Sequence, residues 1–161
     1  MSTAALKPRP ETHDIVVDEV FPHAPEKIWQ ALTTGELIGR WLMKPTGFEA
    51  VKGNRFTYQT KTGGAWDGVI HCEVLEVTPI QRFVYAWRGG HPANPDGYGA
   101  PLDTVVTWML AKVAGGTRVR LVHSGFVKPR NDSALQTMGE GWRTVVGKLR
   151  DLAGDGGGTK Q

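Results

Sequence analysis

The chain has 161 residues, 40% of them hydrophobic, and a formal net charge of +3 from 19 basic and 16 acidic side chains. That length suits one domain with one core, since cores of roughly 100–200 residues are usual. A weak charge without a Lys/Arg run argues against nucleic acid as a partner, and no apolar stretch approaches the roughly 20 residues of a membrane span. The single cysteine, Cys72, excludes an internal disulfide framework and fits a reducing compartment, and the N-terminus lacks the apolar core of a secretion signal. The expected location is cytoplasmic.

Residues 1–12 carry Pro8 and Pro10 and few apolar groups, and 154–161 read GDGGGTKQ, so both ends are expected to be flexible tails around a single domain over 13–153. The first element, DIVVDEVF, alternates loosely and stops at Pro22, as a strand does. Pro25 then suits the first position of a helix, where its missing N–H costs nothing, and Ile28, Trp29 and Leu32 share one helical face. Gly35 is expected to end that helix in a left-handed conformation, with Leu37 and Trp41 on one side of a second short helix. The pair forms a two-helix hook after strand one.

Six further strands are expected. GFEAV and RFTYQT flank KGN, WDGVIHCEVLEV meets RFVYAW through TPIQ, and LDTVVTWMLAKV meets TRVRLVHSGF across AGG. Short turns between successive strands imply a seven-stranded antiparallel sheet. The last element is a helix over about Ser133 to Ala153, with Asn131 and Asp132 as cap candidates and an apolar stripe of Met138, Trp142, Val145, Leu149 and Leu152. An antiparallel sheet needs a cover for its apolar face, and one helix cannot cover seven strands completely. The remaining space is a candidate cavity.

Strand parity selects its lining. Val119, Leu121 and His123 face away from Arg118 and Arg120; Phe83, Tyr85 and Trp87 share a side, as do Phe56 and Tyr58; Trp108 shares parity with Val106 and Leu110. With Trp41, Met138, Trp142 and Val145 these are the ligand-site candidates, against the alternative that aromatic stripes are plain core. His123 is expected to be satisfied by a neighbour or water, with proton transfer as the minority reading. The adjacent His71, Cys72 and Glu73 point to alternate faces, so no metal site is expected, and the absence of a phosphate loop leaves no cofactor implied. Gly139, Gly141 and Gly147 suggest a close approach to the helix or a bend in it. The polar segment 89–101 is expected at a mouth of the cavity, with His91 and Tyr98 in reach of a ligand.

APEKIWQALTTGELIGRW, VTPIQRFVYAW, GTRVRLVHSGF and the GW-bearing last helix together resemble the START-related helix-grip superfamily (SRPBCC, Bet v 1-like), in the branch homologous to the activator of heat-shock-protein-90 ATPase. The resemblance implies an α+β helix-grip fold, with the sheet wrapped around the long C-terminal helix and an internal cavity for a small hydrophobic molecule. It leaves open a cyclase or dehydratase activity using His123 with Tyr58 or Tyr85. It also leaves open a chaperone or other protein partner connected with stress response, and a homodimer.

Overall fold

The computed structural model describes residues 12–154. The tail expectations therefore lie outside the described residues, except that Thr12 opens β1 and Gly154 closes α3. The order is β1 (Thr12–Phe21), α1 (Pro25–Thr33), α2 (Gly35–Trp41), β2 (Arg55–Gln59), β3 (Val69–Thr78), β4 (Arg82–Gly89), β5 (Leu102–Val113), β6 (Gly116–Val127) and α3 (Asp132–Gly154). The strands form one antiparallel sheet in the order β1-β6-β5-β4-β3-β2. β2 to β6 are thus a meander, and β1 returns to pair with β6.

Among the described residues the sheet has six strands, not the seven expected from sequence. GFEAV does not pair along its length: Thr46 alone bridges to Thr57, and Gly47 follows with φ 77°. Asn54 closes the segment on itself, its Oδ1 accepting from the Glu49 N–H at 2.9 Å and its Nδ2 donating to the Gly47 carbonyl at 3.0 Å. Side-chain bonds of this kind compete with a strand ladder for the same backbone groups. Phe48 still reaches the interior, edge-on to Phe56.

The hook forms as expected but breaks differently. Gly35 is the first residue of α2 rather than a left-handed terminator, and the chain turns because Thr34 is extended (φ −116°, ψ 117°). Trp41 locks the hook by donating its indole N–H to the Ala31 carbonyl at 2.9 Å and packing edge-on against Trp108 of β5.

α3 packs against β1, β6, α1 and α2. Glu19 of β1 bonds Arg150 of α3 at 3.0 Å, so that end of the helix is held over the β1 side. Its buried residues are Trp142, Val146, Leu149 and Ala153, whereas Met138, Val145 and Leu152 are only partly buried. The burial seam is rotated from the sequence stripe because the helix lies toward β1 and β6. The space over β3 and β4 is left to other cover.

The three interior glycines of α3 do not mark a close approach: a Cβ at Gly139 or Gly141 would meet nothing within 4 Å, and one at Gly147 only the end of Arg150. Gly139→Ala should therefore stabilise the protein by about 1 kcal/mol through helix propensity alone. The midpoint of urea unfolding should move up with an unchanged slope.

Candidate functional site

A hydrogen-bonded chain links α3 to the middle of the sheet. His123 of β6 is fully buried, and the Trp142 indole N–H donates to its Nδ1 at 2.9 Å. Thr104 of β5 donates its single hydroxyl hydrogen to the Trp87 carbonyl at 2.7 Å. Its oxygen, 2.7 Å from His123 Nε2, must then accept the Nε2 hydrogen. The neighbours thus fix one neutral tautomer. Burial pulls the imidazole down to about 3, since no opposite charge accompanies it. With Nδ1 already accepting, His123 cannot take a proton unless Trp142 moves.

Two neighbouring cavities lie beside this chain. The first, about 200 Å³, sits between the start of α3 (Ser133, Ala134, Thr137), Trp87 of β4 and the loops around Trp66 and Tyr98. The second, about 210 Å³, lies between the end of the hook (Leu42, Met43) and the α3 residues Met138, Trp142 and Val145. Met43, Trp87, Thr137 and Met138 line both. Neither wall contains an aspartate, glutamate, lysine, arginine or histidine.

The first cavity is roofed by two loops fastened together. Asn94, in the segment between β4 and β5, accepts from the Ala65 N–H and donates to the carbonyls of Gly63 and Gly99 at 2.8 and 3.0 Å. The Tyr98 hydroxyl donates to the Lys61 carbonyl at 2.6 Å, and its ring leans on Trp66. Gly99 has φ 91°, and a side chain there would come 2.7 Å from the Gly63 carbonyl oxygen, so the loops meet only with glycine at that place.

Sheet, hook and gripping helix are the architecture of a known family. The family described as activator of Hsp90 ATPase homolog 1-like protein matches residues 22–154. The chain belongs to this family. Protein MLL2253 from Mesorhizobium loti is 36% identical with a TM-score of 0.74, over 87% of this chain and 96% of that one. CalU16 from Micromonospora echinospora (21% identity, TM-score 0.67, 89% of this chain and 77% of that one) shares the fold. So does the Aha1 dimer from Colwellia psychrerythraea (22%, 0.67, 88% and 96%). Among curated proteins, none matches this chain.

In this Hsp90-activator-homologue fold, the eleven residues predicted from sequence separate into two groups. Trp87, Met138, Trp142 and Val145 line cavity walls. Trp41, Phe56, Tyr58, Phe83, Tyr85, Trp108 and His123 are buried and line neither cavity. Their rings fill the space between sheet and hook through mutual edge contacts, among them Phe56 with Tyr58 and Tyr85, and Trp41 with Trp108. Desolvation raises the Tyr58 and Tyr85 phenols well above their ordinary range, so both stay protonated near neutral pH. Burial likewise pushes the Cys72 thiol up to about 12, an inert state.

The segment over 89–101 does lie over a cavity, with Tyr98 in its wall. His91 is exposed, outside the lining, and accepts from the Ala93 N–H. Met43, Trp66, Asn94 and Thr137 were not distinguished in sequence. The signal that could have found them is the glycine pair in KTGGAW, where a side chain at Gly63 would strike the Tyr98 ring and one at Gly64 the Asn94 amide. Among the described residues no His/Cys/Asp/Glu group could hold a metal ion, and no helix is long and apolar enough to cross a membrane.

The depressed His123 pKa has a consequence for stability. The unfolded imidazole titrates at about 6.5, so between there and about 3 the unfolded state binds the proton that the native state refuses. Stability should fall as pH drops through that window, by up to about 1.4 kcal/mol per pH unit from this group. His123→Gln, which can still accept from Trp142 and donate to Thr104 without titrating, should show a shallower loss between pH 6.5 and 4 in urea unfolding. Equal slopes would remove His123 as the cause.

Proposed function

We propose that this chain binds a small, largely apolar molecule in the paired cavities that α3 and β4 enclose with the hook and the fastened loops, and that it does so in the cytoplasm. One observation carries the reading: among the described residues both cavity walls are built without a charged or imidazole side chain, and the first lies under a roof held by Asn94. An apolar wall of that composition gains from an apolar occupant and gives an ion no counter-charge in return for lost hydration. The buried, unreactive thiol of Cys72 suits a reducing compartment.

The reading is binding without turnover. Acid/base catalysis needs a group within hydrogen-bond reach of the reacting atom. His123 has both nitrogens engaged behind Trp142, and the phenols of Tyr58 and Tyr85 lie outside the cavity walls. A cyclase or dehydratase built on those residues would have to open the core first.

A second reading concerns assembly. β1 is an edge strand that exposes Val16 (41%) and Val20 (56%), and unpaired strand edges are ready templates for another chain. The related Aha1 protein of Colwellia psychrerythraea is a dimer. We propose a homodimer through this edge as a companion to ligand binding.

The neutral fluorophore 1-aminoanthracene should brighten on binding the wild-type protein. Ala134→Phe, which puts a ring into the first cavity, should weaken that binding by about tenfold, or 1.4 kcal/mol, with the circular dichroism unchanged. Absence of dye binding to wild type, or full binding to the filled variant, would refute the cavity reading. Sedimentation equilibrium tests the edge: Val20→Lys should shift a dimer toward monomer, and a wild-type protein that is already monomeric at high concentration would end that proposal.

A further inference from the structure

Of the indoles buried around the cavities, four donate their N–H within the protein: Trp41 to Ala31, Trp66 to Val69, Trp108 to Tyr85 and Trp142 to His123. Trp87 does not. Its relative exposure is 3%, its Nε1 is inaccessible to solvent, and no acceptor among the described residues reaches it. Trp87 is also one of the four residues common to both cavity walls. An indole nitrogen can only donate, so the group that would satisfy it is an acceptor.

The two cavities differ in chemistry. The first carries hydroxyls and an amide, from Thr60, Ser133, Thr137 and Asn131. The second is walled chiefly by Leu42, Met43, Met138, Trp142 and Val145. Either alone, at about 200 Å³, falls short of the roughly 300–1,000 Å³ of typical small-molecule sites, whereas together they lie within it. Met43 and Met138 stand in the shared wall. Methionine is unbranched with three rotatable bonds, so the partition can move without a backbone change. Gly139 and Gly141, just after Met138, leave open space beside the helix.

We propose that the occupant is an elongated, neutral molecule that spans both cavities past the Met43–Met138 partition. Its apolar end lies in the second cavity, and one hydrogen-bond acceptor is taken by the Trp87 indole N–H, which is covered in the empty protein and is uncovered as the partition moves aside. This inference rests on the binding reading and adds three properties to it: length, neutrality and an acceptor. Neutrality follows from walls that hold no charge to pair with an ion.

The test uses decan-2-one, dec-1-ene and pentan-2-one on the full chain, with the indole N–H signals followed by ¹⁵N-edited NMR. Decan-2-one should bind about tenfold more tightly than dec-1-ene, equivalent to about 1.4 kcal/mol, and should displace the Trp87 indole signal. Trp87→Phe should erase that preference, and the wild-type indole signal supplies the same answer without a variant. Met138→Phe, which puts a stiff ring in the partition, should weaken decan-2-one about tenfold and pentan-2-one by a much smaller factor. Equal binding of ketone and alkene with an unmoved Trp87 signal overturns the acceptor. Full decan-2-one affinity in Met138→Phe overturns the spanning geometry. In either case bound probe leaves the simpler cavity reading standing, whereas no binding of any of the three probes overturns both.

Discussion

The chain Trp142 to His123 to Thr104 to the Trp87 carbonyl is the interaction on which the site depends. It joins α3 to β6, β5 and β4 with every donor and acceptor used once, inside a core that would penalise any of them left unpaired. Because the hydroxyl of Thr104 has only one hydrogen, the direction of the whole chain is determined, and with it the neutral state of His123. A charged imidazole would turn an N–H toward the N–H of Trp142. The histidine is therefore a pin for the helix.

Where the helix is pinned decides where the cavities lie. Glu19 and Arg150 hold its later turns over the β1 side, so its earlier turns and the hook enclose a gap above β3 and β4. The sheet alone cannot close that gap. The loops after β2 and β4 close it instead, fastened by Asn94 and Tyr98, whose partners are almost all backbone carbonyls and amides. A roof held by backbone groups is insensitive to the side chains beside it, and its walls are free to be apolar.

Such an arrangement separates stability from recognition. The seven interior candidates that line neither cavity build a close-packed aromatic core, while Trp87 belongs to both tasks. Its carbonyl completes the histidine chain and its indole contributes to the cavity walls. Volume, polarity and the absence of charge then select the occupant, in the manner of pockets that bind by shape with few polar contacts.

Strand parity along β4, β5 and β6 was legible in sequence because alternation is local: Arg118 and Arg120 lie outward beside Asp18, and Val119, Leu121 and His123 lie inward. So were the hook and the long helix. The false seventh strand came from reading GFEAV by composition, which does not show that Asn54, five and seven residues on, takes up the Glu49 N–H and the Gly47 carbonyl. The same limit left open whether Trp41 and Trp108 are core or cavity wall, since inward direction does not say whether the space beyond is empty. The sequence by itself determined which faces are apolar and which family the pattern resembles, because both are properties of near neighbours along the chain. Only the tertiary structure decided where the helix rests and which rings meet void rather than one another, because those depend on how volumes from distant segments fill a shared interior.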